Sequence, residues 1–409
     1  VIDVDGTSAD NIPFVVQPGV GKFSLPALTY ALADTIPYFV TQEFQLVSSA
    51  ERPFSWIVGA FGIDSRDSND PFNIILNSAT FAPIAAVNAY NTTIAYAGYA
   101  QGTYAFDNGL KLTAGGRYSD EHKHTAGGQS GGAVLLTDDK KKTWESVTYR
   151  FAADYRFNEK LLAYASASKG FKSGAFNVTS IDKNPAVNPE TLYDYEVGVK
   201  ADPFPWLRID GSAYHYDYKN IQFYAYPQAA GLPILENAAA ATLYGSELDV
   251  EMRPLKDLTL TGNIAWEHSR YDSFNSAQIY IAAPVAGEKQ ISGNATGQPV
   301  IRTPKLSGNL GASYDFRLPR DSGQLTLASN VYHNSGYSFD PIGVIKQPGY
   351  SVVGGSLTWA LPGGKWSAAA WAKNLADERY YTQVVAGGRG VRVGYDLRTY
   401  GLNVRYQLK

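Results

Sequence analysis

From Tyr400 the chain alternates strictly: Tyr400, Leu402, Val404, Tyr406 and Leu408 share one face, and Gly401, Asn403, Arg405 and Gln407 share the other. A period of two marks a β-strand with one apolar and one polar side. The pattern recurs upstream, where Val147, Tyr149, Phe151, Ala153, Tyr155 and Phe157 alternate with Ser146, Thr148, Arg150, Ala152, Asp154 and Arg156. Tyr193, Tyr195, Val197 and Val199 alternate in the same way with Asp194, Glu196, Gly198 and Lys200. Leu306, Leu310, Tyr314 and Phe316 oppose Ser307, Asn309, Ser313 and Asp315. In each segment the charges stand on one side only. A dry core does not accept unpaired charge, so the polar side faces water and the apolar side faces oil. The predicted fold is all-β, an antiparallel transmembrane β-barrel whose closing strand is the last segment.

About fifteen such strands are predicted between Phe39 and the C-terminus. The segment from Leu207 is less regular, because Leu207 and Ile209 take one phase and Tyr214, Tyr216 and Tyr218 the other. A bulge near Gly211 would explain the switch, as would a strand running on above the membrane. Connections alternate between two kinds. Short turns use turn residues, as in Asp107-Asn108-Gly109 and Pro362-Gly363-Gly364, while long loops occupy about 65–92, 124–142, 170–187, 220–241, 272–301, 335–346 and 378–395. Outer-membrane barrels show this asymmetry, with short periplasmic turns and long outside loops. The first strand leads into a short turn, so residues 1–38, irregular and rich in Pro, Gly and Asp, are placed outside the cell as a loop left from a truncated front. Residues 39–409 are then the C-terminal part of a barrel.

Composition supports strands and interfacial belts, with 29 Tyr, 7 Trp and 39 Gly against one Met. A net charge of -3 gives no argument for nucleic acid. There is no cysteine, which removes disulfides and thiolate metal sites.

Several stretches resemble the TonB-dependent outer-membrane receptors. Lys169-Gly-Phe-Lys-Ser-Gly-Ala-Phe-Asn177 is similar to the family's strand-end motif, and Asn188-Pro-Glu190 with Tyr195-Glu196-Val-Gly-Val-Lys200 to its P-E-x-x-x-x-Y-E-x-G-x-K strand. Gly245-Ser-Glu247-Leu-Asp-Val-Glu251 resembles the strand that follows, and Asn374-Leu-Ala-Asp377-Glu-Arg-Tyr380 the element before the last loop. The family usually ends on an aromatic residue, where this chain has Leu408 and Lys409. Such receptors have about 22 strands around a plugged lumen, so the resemblance implies that about fifteen strands are present and the plug is not. It also implies energy-driven uptake of a scarce ligand, most often a ferric siderophore, in the outer membrane of a Gram-negative bacterium. The implied partners are outer-membrane lipid, a small-molecule ligand, and the TonB complex acting only through the missing plug segment. A passive porin-like channel is the alternative, and a barrel enzyme a more distant one.

Candidate ligand contacts are the loop aromatics Tyr224, Tyr226, Tyr271, Phe274, Tyr280, Tyr337, Phe339 and Tyr381, with Arg389 and Arg392. Aromatic faces offer contact area and arginines pair with anionic groups. The same aromatics also suit an outer interfacial girdle, which such a barrel needs in any case. No cofactor is predicted. His122 and His124, two apart, share a strand face as zinc ligands can, and Asp64, Asp67 and Asp70 offer oxygens, but neither set makes a recognisable metal motif.

Overall fold

The computed structural model describes residues 29–49, 53–75, 83–131, 134–177, 186–225, 234–282, 288–320, 322–387 and 390–407. Fifteen strands form one antiparallel sheet in nearly sequential order. They are β1 (Thr29–Val47), β2 (Phe54–Ile75), β3 (Pro83–Ala105), β4 (Leu110–Gly131), β5 (Val134–Asn158), β6 (Leu161–Lys172), β7 (Glu190–Phe204), β8 (Leu207–Ala225), β9 (Ile234–Leu255) and β10 (Leu258–Phe274), followed by β13 (Leu306–Arg317), β14 (Gln324–Ser338), β15 (Lys346–Ala360), β16 (Trp366–Lys373) and β19 (Thr399–Tyr406). Two small hairpins, β11 (Ala277–Ala282) with β12 (Glu288–Gly293) and β17 (Tyr381–Gly387) with β18 (Gly390–Tyr395), stand outside the sheet.

The alternation sorts as expected. Phe151, Val197, Leu248, Ile264, Leu310 and Leu402 are exposed on one face. On the other, Tyr99 donates to Glu43 at 2.6 Å, Ser168 to Asp194 at 2.9 Å and Thr326 to Asp315 at 2.6 Å. The first face meets lipid and the second lines the lumen. Along β5 the apolar band runs from Phe157 to Val147, both exposed. That is about 33 Å of strand, which a tilt of about 40° reduces to the roughly 25 Å of an outer-membrane apolar band. Aromatic pairs such as Tyr155 with Phe157 and the stacked Phe204 and Trp206 mark its periplasmic edge.

Short turns fold as their sequences dictate. Gly109 has φ of 89°, and a Cβ there would lie 2.5 Å from the Arg156 carbonyl oxygen, so the turn before β4 requires glycine. Three expectations are corrected. The strand predicted from Phe39 begins at Thr29, pairing with Ile75. Among the described residues, much of the long connections is strand, because β2 with β3, β4 with β5 and β8 with β9 continue as ladders well past the apolar band. Above the membrane both strand faces meet water, so the ladder persists while the alternation that reveals it fades. Finally, no bulge lies at Gly211. Val199 pairs Gly211 and Gly198 pairs Ser212 without a shift, and the irregularity falls between Tyr218 and Ile221, where Asn220 takes φ of 56°. Leu207 and Ile209 face lipid and Tyr214, Tyr216 and Tyr218 the lumen, so the two sets lie on opposite faces of one unbroken strand.

Candidate functional site

Above the apolar band the molecule acquires the kind of core that its wall lacks. Ile221, Ala239, Ala241, Tyr271, Phe274, Ala277 and Ala295 form a buried cluster, with Phe223, Leu243, Ile279 and Ile342 packed against it. Phe223 stacks on Phe274 at 4.7 Å, and Tyr271 meets Phe274 edge-on at 5.0 Å. The segment after β12 is clipped onto β10 by bonds from Tyr271 N to the Gln298 carbonyl and from Ala295 N to the Phe274 carbonyl. Burial pushes the Tyr271 hydroxyl up to about 12.

A strap crosses beside this core. Residues 173–177 and 186–189 lie between β6 and β7. The Gln222 side chain donates to the carbonyls of Ser173 and Asn188, each at 3.0 Å, and Asn177 donates to the Leu235 carbonyl at 3.0 Å. Glu190, only 3% exposed, accepts from Lys172 Nζ at 3.1 Å, from Gln222 N at 2.7 Å and from the Tyr218 hydroxyl. Gly174 is fixed by space, since a Cβ would lie 2.1 Å from Trp144 Nε1 and 2.3 Å from the Val187 carbonyl oxygen. The motif stretches Lys169–Asn177 and Asn188–Glu190 therefore encode the strap's anchors.

The rim presents two chemically different stretches. On β4 to β6, Lys123 and Lys142 lie 5.7 and 5.2 Å from the ring centre of Trp144, which meets Phe176 edge-on. On β14, β15 and the segment before β17, Tyr350 stacks on Tyr380 at 4.4 Å and 5°, and Tyr332 meets Tyr350 at 6.1 Å. Tyr380 donates to Asp396 at 2.7 Å, and its hydroxyl is raised well above the usual range, first by burial and then by that carboxylate. Tyr337 and Phe339 pair edge-on at 5.2 Å, with the Arg302 guanidinium 5.5 Å from the Phe339 ring. Asn374 holds the region together, donating to the Glu378 and Asp396 carbonyls and accepting from Glu378 N.

The predicted contact residues divide accordingly. Tyr224 is exposed at the end of β8, while Tyr271 and Phe274, at 0% and 2% exposure, belong to the core and offer no free face. Tyr337, Phe339 and Tyr381 sit together near the tyrosine stack, with Tyr381 N donating to Gln347 Oε1 at 2.6 Å. Tyr226 and Arg389, and the side chains of Tyr280 and Arg392, lie outside the described residues. Tyr332, Tyr350 and Arg302 were not singled out from sequence. Only the lumen-side phase of Tyr332 and Tyr350, shared with Asn334 and Asn330, could have marked the tyrosines.

Metal and hydrolytic chemistry gains no support. His124 pairs with Asp139 at 2.7 Å and His122 bonds Thr143 at 2.8 Å, and among the described residues no group of three or more ligating side chains comes together. The chain does contain one G-x-S-x-G, Gly128-Gln-Ser-Gly-Gly132. Its Ser130 pairs Leu135 near the end of the β4 to β5 ladder, and not on the strand-to-helix turn that exposes a hydrolase nucleophile.

Residues 11–375 match the family model described as TonB dependent receptor-like, beta-barrel. The chain belongs to the TonB-dependent receptor family. Three solved structures show the shared fold of these receptors. The ferric yersiniabactin uptake receptor FyuA from Yersinia pestis aligns with a TM-score of 0.77 at 18% identity, covering 90% of this chain and 53% of that one. The siderophore receptor PiuA from Acinetobacter baumannii aligns at 0.68 and 14% identity, covering 92% and 57%. The copper transporter OprC aligns at 0.65 and 12% identity, covering 90% and 56%. This receptor barrel thus spans little more than half the length of the structures it matches. The family resides in the outer membrane of Gram-negative bacteria, which fits the lipid-facing band described above.

Proposed function

We propose that this receptor takes up a scarce nutrient across the outer membrane, and that its ligand is a ferric siderophore. The observation that carries the reading is the rim, where a stacked tyrosine wall (Tyr332, Tyr350, Tyr380) offers flat surface and the exposed Lys142, held over the buried Trp144 ring, offers positive charge, which together suit a ligand that is both anionic and rich in flat surfaces. Among the aligned structures, FyuA and PiuA are described as siderophore receptors, and OprC transports copper. Fold alone leaves the cargo open, and the rim chemistry favours the siderophore. Opening the path and coupling to the TonB complex require the plug of the whole receptor.

The test uses the full-length receptor in cells starved of iron. A deletion strain carrying wild-type receptor should grow on at least one member of a panel of ferric siderophores. Tyr350→Ala with Tyr380→Ala should weaken binding of that siderophore about thirtyfold, the loss of two aromatic contacts of roughly 1 kcal/mol each, with no change in folded yield. Growth unchanged by deletion across the panel, under iron limitation, would contradict the siderophore reading.

A further inference from the structure

The luminal face changes its charge from one side of the sheet to the other. On β7 to β10 it is acidic, with Asp194, Glu196, Asp210, Glu247 and Glu267 turned inward and Lys200, opposite Asp210, the cation among them. Glu196 accepts from the Tyr164 hydroxyl and Glu267 from Tyr214 at 3.1 Å. One oxygen each of Asp194 and Glu267 is buried without a partner among the described residues. On β1 to β5 the lumen carries Glu43, Arg117 and Arg150 around a recess of about 390 Å³.

The luminal face of β13 to β15 is built differently. Asn309, Gly311 and Ser313 on β13, Asn330 on β14, and Gly354 and Ser356 on β15 line a recess of about 400 Å³ whose one ionised side chain, Lys373, stands at its β16 margin. Asp315, two residues below Ser313, is occupied by the Thr326 hydroxyl at 2.6 Å. Small residues keep the recess open, since a Cβ at Gly311 would lie 2.6 Å from Thr261 Oγ1 and one at Gly354 2.7 Å from Asn330 Oδ1. This wall continues the tyrosine stack downward. Tyr332 stands two residues above Asn330 on the same face of β14, and Tyr350 four above Gly354 on β15. From Tyr350 to Ser356 is about 20 Å of strand.

The charge pattern has two consequences. Whatever fills the lumen is held to the acidic and arginine-bearing walls by ion pairs and charge-assisted hydrogen bonds, which are about twice as strong as the neutral ones that Asn, Ser and Thr offer. A plug therefore parts first from β13 to β15. An anion descending there meets no carboxylate above Asp315, whereas β7 to β10 would repel it along their length.

We infer that the ligand leaves the tyrosine stack along the luminal face of β13, β14 and β15, which forms the uncharged side of the translocation path. The assignment deepens the siderophore reading and rests on it for the negative charge of the cargo, while the parting of the plug at this wall does not depend on it.

The experiment uses the full-length receptor and two readouts. In the first, single cysteines at Ser313→Cys, Ser356→Cys and, on the arginine-bearing wall, Ala152→Cys meet a sulfonated maleimide in rising urea. Ser313→Cys and Ser356→Cys should react at lower urea than Ala152→Cys, with heat-modifiable mobility, the mark of a folded barrel, retained. Reaction of all three together, or of Ala152→Cys first, would overturn the route. In the second, iron-starved cells take up a ferric siderophore that binds the wild type. Ser313→Glu and Ser356→Glu should each slow uptake about tenfold at unchanged binding affinity, the effect of one added charge about 10 Å from an anion at an effective dielectric of about 20. Ser313→Gln, Ser356→Gln and Ala152→Glu should stay within about twofold of wild type. Uptake undiminished by both glutamates, or lowered as much by Ala152→Glu, would overturn the route. If no siderophore in the panel binds, the siderophore reading fails and the order of reaction in urea decides the route by itself.

Discussion

On one strand, β10, Ile264 and Trp266 are 46% and 47% exposed while Tyr271 and Phe274, a little further along, are almost wholly buried. The strand crosses from a wall built apolar side out into a head built like a soluble core. In the wall, lipid supplies the apolar neighbour, so large side chains need no protein partner, and polar groups such as Asn263 and Asn309 meet across the lumen face. In the head, water surrounds the hairpins, and Tyr271, Phe274 and Phe223 must find one another. The same alternation that builds the wall would be useless in the head. The rim residues therefore depend on the head's packing, although they share a sheet with the wall.

Substitutions that separate the two regions come in order of size. Phe274→Ala should cost the head about 3–5 kcal/mol as a core cavity, seen as rapid hydrogen exchange and proteolysis around Ala239, Ala241 and Ala277, with folded mobility of the barrel retained. Loss of the whole barrel instead would show that head and wall are one cooperative unit. Leu310→Arg on the lipid face should destabilise the barrel by about 2–4 kcal/mol, while Asn309→Arg, next to it on the lumen face, should be far milder in refolding measurements. Equal effects would contradict the assignment of faces. Glu190→Ala removes the buried acceptor of Lys172, Tyr218 and the Gln222 amide. It should cost about 1.5–3 kcal/mol, read as cleavage within the strap at protease levels that spare wild type. Smallest is Trp359→Phe, which loses the bond from Trp359 Nε1 to the Ser322 carbonyl at 2.8 Å. About 0.5–1.5 kcal/mol in barrel stability is expected, with no change in the head.

The wall was largely legible in the sequence because one physical constraint, oil on one side and water on the other, acts at every second residue. Val147 to Phe157 and Leu306 to Phe316 announce their faces without any knowledge of their neighbours. The head was not legible in that way. Tyr271 and Phe274 look like rim aromatics from their place near a strand end, and only the folding back of Ala295 and Gln298 shows that they are covered. Tyr350 and Tyr380 stack although Tyr380 lies beyond β16, on a segment whose two ends Asn374 holds together through the Glu378 and Asp396 carbonyls. Glu190 stood in a recognisable motif, yet its meaning as the strap's anchor depended on Lys172, Tyr218 and Gln222 arriving from two other strands. Long-range partners of this kind leave no local period to read.

The chain has no cysteine, so single cysteines can be placed along β13 from Leu306 to Phe316 and at Tyr271 and Phe274, and their labelling by a water-soluble thiol reagent compared in intact outer membranes with the lumen accessible. The account predicts reaction at Ser307, Asn309, Gly311, Ser313 and Asp315, protection by lipid at Leu306, Leu310, Ala312, Tyr314 and Phe316, and no reaction at Tyr271 or Phe274. Reaction at the second set in place of the first, or free labelling at Tyr271 and Phe274, would contradict a wall turned apolar side out beneath a head packed apolar side in.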